Sequence, residues 1–323
     1  MARRIPNVSG PLTSRRRRLA EELAEAGLRI DATTDWGELL LTEVDYALRP
    51  IVHERRIPSV GSIITPTTPA EQWEMGTQLT VMHRPIGAMP AKGTRLFADG
   101  LSSWLIRRVD GDDEWAVFDR PAGSERDLVV LAETMGATVV QRHPSGTVRI
   151  VGDFGVFRWN GLTWHHEQPV GHWLDEVAAC GRHGDREVIE ALLEFAVHDL
   201  GARGIGATLV YQADRESPSS IEVRLPPPPP LDVRRPSDLA PLRHALAQID
   251  GAAVIDHDGI LRELGVRLVP SPQAEAEVDG LRGMRHTSGR RYSFDDPGAT
   301  VVVVSEDGPV TVLRAGDVIG RSV

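Results

Sequence analysis

Two short motifs in the last quarter of the chain combine residue types that bind phosphate and metal ions. Asp250-Gly251-Ala252 places a carboxylate and a side-chain-poor backbone directly before the apolar run Ala253-Val254-Ile255, and such a carboxylate can hold a metal ion or a ribose hydroxyl. Arg285-His286-Thr287-Ser288 follows about one supersecondary unit later, after Gly283. Backbone N–H groups at a helix start and cationic side chains would converge there on an anion. Together the motifs predict a site for nucleotide phosphates.

The length and composition are those of an ordinary globular protein. The 323 residues are 41% hydrophobic and 25% charged, which favours a buried core in two domains, or in one large α/β unit, over disorder. The single cysteine, Cys180, excludes an intramolecular disulfide framework and a cysteine-cluster zinc site. We interpret it as a half-buried thiol in a reducing cytosol.

The charge and hydropathy patterns limit the expected partners. No stretch approaches the roughly 20 apolar residues of a membrane helix, so we expect a cytoplasmic protein without membrane contact. A net charge of −10 argues against broad nucleic-acid binding, which depends on a cationic surface, and DNA is not an expected partner. The basic run Arg15 to Arg18 is interpreted as part of a solvated tail.

The first half of the chain predicts a β-rich α+β domain. Helices are expected over residues 14–26, 36–53 and 124–135. Between residues 61 and 164, short apolar runs separated by Gly, Pro and Asp predict strands, with a hairpin turn at Asn160-Gly161. The quoted runs are Ser62-Ile63-Ile64, Trp115-Ala116-Val117-Phe118, Val148-Arg149-Ile150-Val151 and Val156-Phe157-Arg158-Trp159.

The second half predicts a mixed sheet with helices on its faces, which makes the whole chain an α/β (α+β) protein. A helix over 185–200 should bury Val188, Leu192, Leu193, Ala196 and Leu200 and end at Gly201 and Gly204. Further helices are expected over 239–248 and 285–292. Strands are expected over 207–211, 221–225, 252–255, 266–269, 300–304 and 310–313. Five prolines, 226–230, predict a polyproline II spacer that stiffens a loop inside this domain.

Four motifs occur in a fixed order in this half. They are Gly206-Ala207-Thr208-Leu209-Val210, Asp250-Gly251-Ala252, Arg285-His286 and Val304-Ser305-Glu306-Asp307-Gly308. In that order they resemble the diadenylate cyclase domain of the DisA and CdaA families, over roughly residues 185–323. The resemblance implies an enzyme that condenses two ATP molecules into cyclic di-AMP and pyrophosphate. It also implies that residues 31–175, after a basic tail and helix over 1–30, are a sensor domain that regulates catalysis.

The resemblance assigns roles to individual residues. Asp250 would hold a Mg²⁺ or Mn²⁺ ion and the attacking ribose 3′-hydroxyl, and Glu306 would lie near the same ion and the phosphates. The backbone at Gly251 and Ala252 would approach the nucleotide. Leu268 would lie near the adenine pocket, while Arg285 and His286 would hold the triphosphate. Because cyclic di-AMP has two equivalent phosphodiester bonds, two chains with one ATP each are expected to meet face to face about a two-fold axis.

Two positions depart from the family pattern. Thr287 stands where Arg is typical, and Met284 stands where a small hydroxyl residue is common. Thr287 or Ser288 could supply hydroxyl donors, and Arg290 or Arg291 could replace the missing guanidinium. If these groups point to solvent, the expected function is a nucleotide sensor that binds ATP or cyclic di-AMP without catalysis. A third alternative is a partner-binding protein that uses the basic tail and the proline spacer.

A further pattern hints at an internal repeat. Arg142-His143-Pro144-Ser145-Gly146 echoes Arg285-His286-Thr287-Ser288-Gly289, and each precedes a hairpin. On this interpretation the first half is a decayed copy of the cyclase fold, with Asp99-Gly100 nearest to the place of the Asp-Gly-Ala motif. The competing interpretation is a chance match in an unrelated sensor domain.

Overall fold

The computed structural model describes residues 14–52, 54, 57–66, 73–74, 77, 79–86, 91–109, 111–178, 185–213, 220–281, 283–307 and 309–322. The N-terminal tail up to residue 13 and Cys180 therefore lie outside the described residues. The chain divides into two compact units, Met1–Glu167 and Gln168–Val323, each built on its own mixed sheet. The α/β (α+β) fold class is confirmed. No helix within the described ranges is long and apolar enough to cross a membrane.

The first unit places helices on a sheet that has eight strands in its described part. The helices are α1 (Ser14–Glu25), α2 (Asp35–Leu48), α3 (Ala91–Thr94) and α4 (Glu125–Met135). The strands are β1 (Val60–Thr65), β2 (Val81–Pro85), β3 (Ser103–Arg108), β4 (Glu114–Phe118), β5 (Thr138–Arg142), β6 (Val148–Gly152), β7 (Gly155–Trp159) and β8 (Trp164–Glu167). They run in the order β2-β4-β3-β1-β5-β6-β7-β8.

Two helix boundaries in this unit follow local rules. α4 begins after Ser124, which forms a capping box with Asp127, and it ends at Gly136 in the left-handed conformation. α2 ends at Leu48, so the expected extension to residue 53 is wrong. The cause is Pro50, which disfavours the helical conformation at the residue before it.

The basic run and the hairpin turn of the first unit are also placed. The run Arg15 to Arg18 lies in the first turns of helix α1, where Arg15 donates a 2.6 Å hydrogen bond to Asp45 of α2 and Arg17 and Arg18 are exposed to solvent. The turn at Asn160-Gly161 connects the antiparallel strands β7 and β8, as expected.

The second unit has a sheet with seven strands in its described part. Its helices are α5 (Gly171–Ala178), α6 (Asp185–Glu194), α7 (Pro236–Leu246), α8 (Pro272–Glu277) and α9 (Met284–Asp295). Its strands are β9 (Ala207–Gln212), β10 (Ser220–Glu222), β11 (Ala252–Asp256), β12 (Leu261–Val269), β13 (Thr300–Val304), β14 (Val310–Arg314) and β15 (Asp317–Arg321). They run in the order β10-β12-β11-β9-β13-β14-β15.

The expected elements of this unit recur with changed ends. α6 continues as a π-helical turn over Phe195–Leu200 and buries the whole predicted apolar stripe. β10 stops at Glu222, three residues before the proline run, so it is shorter than the expected strand over 221–225. The run itself lies in a loop inside the unit, as expected. β12 begins at Leu261 and is longer than predicted.

The two sheets share one topology. In each unit the first strand, β1 or β9, pairs parallel with the third strand and antiparallel with the fifth. The fourth strand lies between the third and the second, and the sixth and seventh strands follow the fifth, all antiparallel. The strand registers match as well. Val60 of β1 lies opposite Arg142 of β5 in the first unit, and Ala207 of β9 lies opposite Val304 of β13 in the second. The first unit thus has the fold of the second, extended by β8.

The two faces of each sheet are covered in the same way. Val139 of β5 and Val301 of β13 occupy matching registers, and both lie in the core beneath α4 and α9, respectively. Their neighbours Val140 and Val302 lie in the opposite core, which includes α2 in the first unit and α6 in the second. The interpretation of the first unit as a copy of the second is confirmed at the level of topology.

The motif that suggested this copy is not at an equivalent place. Residues 142–146 end β5 and form the turn into β6, which corresponds to the turn between β13 and β14. Arg285 lies instead on α9, between β12 and β13. The proposed equivalence of the two Arg-His segments is therefore wrong, and their likeness is a chance match.

The core of the first unit contains an ion-pair network around Glu43 of α2. This carboxylate accepts hydrogen bonds from Arg95 at 2.6 and 2.8 Å, from the Ser62 hydroxyl at 2.9 Å, and from Arg107. Burial raises the pKa of Glu43, but these partners outweigh it and hold the pKa below its ordinary value. The network joins α2 to β1 and β3.

Glu43→Gln should destabilise the first unit by about 3–5 kcal/mol, because it leaves the buried guanidinium of Arg95 without its carboxylate and leaves Arg107 with Asp113 alone. Because the folded-state pKa is lowered, the stabilisation by Glu43 is present above about pH 5 and is lost as the pH falls through the folded value. Urea unfolding at pH 7 and at pH 4 measures both effects. The control is Glu21→Gln, at an exposed position of α1, and its free energy of unfolding should stay within about 0.5 kcal/mol of the wild type. An equally small effect of Glu43→Gln would contradict the role of the network.

Candidate functional site

Asp250 lies in the short connection between α7 and β11, and its side chain is 99% exposed. The residue after it holds the backbone in place. Gly251 has φ +117°, and a Cβ there would lie 2.6 Å from the carbonyl carbon of Gly265 on β12. Only glycine tolerates both the positive φ and this backbone contact. The Asp-Gly pair therefore presents a carboxylate to solvent at the start of a buried strand.

Arg285, on the first turn of α9, lies between two carboxylates. Its Nη1 is 3.1 Å from Oε1 of Glu306, and its Nη2 is 4.0 Å from Oδ1 of Asp250. Glu306 comes from the turn between β13 and β14, so three separate segments meet at one guanidinium. Because all three side chains are solvent-exposed, the pairs are weak and an incoming phosphate can replace them.

Gly206 makes room for this arrangement. A Cβ at Gly206 would lie 2.3 Å from Nη1 of Arg285 and 2.8 Å from Cγ of Glu306. The motif glycine before β9 is thus a point of close approach. Any side chain at this position would push the guanidinium away from Asp250.

The start of α9 offers further groups to an anion. Gly283 is the N-cap residue with φ +98°, and no side chain caps the helix. The first N–H groups of a twelve-residue helix, together with its macrodipole, favour negative charge at this end. Met284, the first helical residue, is 90% exposed and leaves the end of the helix open.

A cleft of about 730 Å³, here called the Asp250 cleft, lies on one side of Arg285. Of the residues predicted from the sequence, it is lined by Asp250, Gly251, Ala252, Leu268, Arg285, Thr287, Ser288 and Arg291. Sequence reasoning missed three charged residues of its wall, Arg224, Arg267 and Glu275. Arg267 directly precedes Leu268 in β12. No motif in the sequence distinguishes these three residues from ordinary surface charges.

A second cleft of about 590 Å³, the Arg321 cleft, lies against the same helix start. It shares Gly283, Met284 and Arg285 with the Asp250 cleft and adds His286, Glu306 and Arg321. The pKa of His286 is lowered by burial, and further by the charges of Arg321 and Arg285. Its imidazole is therefore mainly neutral at pH 7.

The hydroxyl and guanidinium groups around Thr287 are placed unequally. The Thr287 hydroxyl bonds to the carbonyls of Leu281 and Gly283 at 2.8 and 3.1 Å, so it ties down the loop before α9. Ser288 donates to the carbonyl of Arg285 at 3.2 Å.

The two arginines on the next turn differ in their surroundings. Arg290 donates to the backbone carbonyls of Gly316 and Asp279 and is not among the residues lining either cleft. Arg291 donates to the carbonyl of Val278 at 3.3 Å and also lines the Asp250 cleft. The structure therefore does not bring Arg290 to the site.

The donor chemistry of the site suits a hard divalent cation. Asp250 and Glu306 supply exposed carboxylate oxygens, the ligand type that Mg²⁺ and Mn²⁺ prefer. Among the described residues, one triplet of possible metal ligands also occurs at Asp256, His257 and Asp258. It lies at the other end of β11, roughly 20 Å along the extended chain from Asp250. The Asp256 carboxylate is already held by Arg262 and by backbone N–H groups of its own turn.

The first unit fills the equivalent positions with its own side chains. By strand register, Trp104 takes the place of Ala252 and Phe118 that of Leu268. Both aromatic side chains are buried, with ring centroids 6.4 Å apart. Asp99 precedes them, but its carboxylate accepts three hydrogen bonds from backbone N–H groups of its own turn. The two strand positions thus hold packed aromatics, and Asp99 stabilises its own turn.

Comparison with known proteins agrees with this division. Residues 17–167 match the family model "Probable sensor domain DACNK". Residues 194–318 match the model of the DAC family, "DisA bacterial checkpoint controller nucleotide-binding".

No curated protein matches the chain. Among solved structures, a hypothetical membrane spanning protein from Bacillus cereus is 19% identical, with a TM-score of 0.32, over 42% of this chain and 70% of its own. The two family matches confirm the resemblance seen in the motifs: the C-terminal half belongs to the DAC family of DisA-type nucleotide-binding domains, and a DACNK sensor domain precedes it.

Proposed function

We propose that the C-terminal unit is a diadenylate cyclase, which joins two ATP molecules into cyclic di-AMP, and that the N-terminal unit regulates it. The observation that carries the proposal is the exposed carboxylate of Asp250, placed with Glu306 around the guanidinium of Arg285 at an open helix start. The Asp250 cleft, with Leu268 in its wall, would receive the adenosine.

In the proposed reaction, the 3′-hydroxyl oxygen of one ATP attacks the α-phosphorus of the other. A P–O bond forms, the bond to pyrophosphate breaks, and the hydroxyl proton passes to water or to the released pyrophosphate. A second step of the same kind, in which the two nucleotides exchange roles, closes the ring. Two ATP molecules thus give one cyclic di-AMP and two pyrophosphates. Asp250 would accept the hydrogen bond of the attacking hydroxyl and orient it.

The remaining groups would neutralise the phosphates. Arg285 and the N–H groups at the start of α9 would stabilise negative charge as it moves toward the leaving pyrophosphate. A Mg²⁺ or Mn²⁺ ion, when held by Asp250 and Glu306, would add a Lewis acid at the phosphate oxygens. A neutral His286 could donate a hydrogen bond from one ring nitrogen.

A second candidate function is a nucleotide sensor without catalysis. The observation that favours it is the place of Thr287 and Arg290, since neither supplies the guanidinium that the family has at Thr287. Such a protein would bind ATP or cyclic di-AMP in calorimetry and form no product. The open position of Asp250 favours the cyclase.

Asp250→Asn should slow the formation of cyclic di-AMP strongly while ATP still binds. Loss of the carboxylate removes the group that orients the hydroxyl, and the rate of cyclic di-AMP formation should fall by about 10²- to 10⁴-fold. Chromatography after incubation with ATP and Mn²⁺ measures the product, and calorimetry measures ATP binding. Asp258→Asn, an exposed carboxylate at the far end of β11, is the matched control and should leave both unchanged. Undiminished turnover by Asp250→Asn would overturn the assigned role.

Gly206→Ala should weaken ATP binding with little loss of stability. The added methyl meets the flexible end of Arg285, which can move aside, so the fold survives but the guanidinium leaves its place. We expect at least about a tenfold weaker binding of ATP, as for loss of a charged hydrogen bond. Thermal unfolding and calorimetry on the same sample separate the two effects. A variant that binds ATP normally would show that Arg285 is not held there by Gly206.

The face-to-face arrangement predicts second-order behaviour. If each chain holds one ATP, the rate per chain should rise with protein concentration until the dimer saturates. Activity assays over a dilution series, with light scattering at each concentration, test this. A rate per chain that stays constant while the protein is monomeric would contradict the two-chain site.

A further inference from the structure

Arg321 is an unassigned cation beside the candidate site. It ends β15, it is exposed, and it lines the Arg321 cleft together with Arg285 and His286. Its guanidinium forms no hydrogen bond or ion pair with the side chain or backbone of any residue that the structure describes. Its charge acts on the nearby His286, whose pKa it helps to lower. An exposed arginine beside Arg285, with no carboxylate partner among the described residues, has N–H donors available to an incoming anion.

Strand register gives Arg321 a counterpart in the first unit. Arg321 lies opposite Thr311 of β14, which lies opposite Val303 of β13. In the first unit, Arg158 of β7 lies opposite Arg149 of β6, which lies opposite Gln141 of β5. Val303 pairs with the second residue of β9, and Gln141 pairs with the second residue of β1, so these two residues are equivalent. Counting two strands outward from each, Arg158 and Arg321 occupy the same position in the common fold.

The counterpart shows what an arginine at this position binds. Arg158 donates two hydrogen bonds, of 2.6 and 2.7 Å, to the two carboxylate oxygens of Glu125. Glu125 is the first residue of α4, and its side chain is 0% exposed. Arg149 approaches the same carboxylate at 3.4 Å. In the first unit, the space between this strand and the helix start is therefore occupied by an anionic group of the chain itself.

In the described part of the second unit, the first position of helix α9 carries no acidic side chain. The first residue of α9 is Met284, which is 90% exposed, where α4 begins with Glu125. Glu306 and Asp307 also line the Arg321 cleft, but Glu306 pairs with Arg285. The equivalent of the Glu125 position thus opens into a cleft with Arg285, His286 and Arg321 around it.

We propose that Arg321 is a phosphate-binding residue, which holds the β- and γ-phosphates of ATP in the Arg321 cleft and then the pyrophosphate formed from them. This rests on the proposed function, since the nucleotide must lie in the Asp250 cleft with its phosphates passing Arg285. Arg321 supplies from β15 the guanidinium that Thr287 lacks on α9. The ligand class is a di- or triphosphate, and a nucleoside monophosphate would not reach it.

The test uses Arg321→Gln in the full chain. Calorimetry with inorganic pyrophosphate, ATP and AMP, in Mg²⁺, should show pyrophosphate and ATP binding about 10- to 100-fold weaker than in the wild type, and AMP binding unchanged. Arg321→Lys should recover part of the loss, because the charge remains while the bidentate geometry is lost. Arg235→Gln, an exposed arginine on the far side of the unit at the start of α7, is the control and should bind like the wild type.

The outcomes separate this proposal from the proposed function. Equal pyrophosphate and ATP binding by the wild type and Arg321→Gln overturns the role of Arg321, even if the wild type makes cyclic di-AMP. No pyrophosphate binding by the wild type also overturns it. Equal weakening of AMP and ATP would assign Arg321 a structural role and overturn the proposal, and thermal unfolding of each variant checks that explanation. Whether ATP gives cyclic di-AMP is measured separately and decides the function alone.

Discussion

The guanidinium of Arg285 is the point on which the candidate site depends. It is approached by Glu306 from one side and by Asp250 from the other, at 3.1 and 4.0 Å. Three chain segments, far apart in sequence, must end at the same place for this to occur. Gly206 leaves the space, and Gly251 against Gly265 sets the strand end from which Asp250 projects. These ion pairs are exposed and weak. A phosphate can therefore replace the carboxylates on Arg285, and a metal ion can replace Arg285 on the carboxylates.

One fold, used twice, gives the site its context. The two units share strand order, register and the helices that cover each face. They differ where a nucleotide would lie. The first unit places Trp104 and Phe118 where the second has Ala252 and Leu268, and it places Glu125 on Arg158 where the second has an open cleft. The first unit thus has the same scaffold with these positions filled by its own side chains, and this is the part of the chain that matches a sensor-domain model.

Local signals predicted a large part of this arrangement. The Asp-Gly pair, the helix at Arg285 and the strands around them follow from short-range rules of turn, cap and alternation. The side on which each arginine lies did not follow, because it depends on distant contacts. Arg290 turns to the carbonyl of Gly316, which the folded β14–β15 hairpin brings near, and to that of Asp279 in the segment before α9. Arg321 reaches the site because β15 folds back along β14, and no local pattern marks it.

The repeat was also visible only in part. The sequence similarity between residues 142–146 and the segment at Arg285 related two positions that are not equivalent in the fold. The true correspondence between the units is seen in the strand pairing. Different side chains can fill the same register, so the sequence retained no common motif.

The central claim, that Asp250 and its neighbours cyclise ATP, is tested most directly by the stoichiometry of the products. The purified protein is incubated with ATP and Mn²⁺, and nucleotides and pyrophosphate are quantified together. The account predicts one cyclic di-AMP and two pyrophosphates for every two ATP molecules consumed. ATP that binds and remains unchanged, or that yields ADP and phosphate, would contradict it.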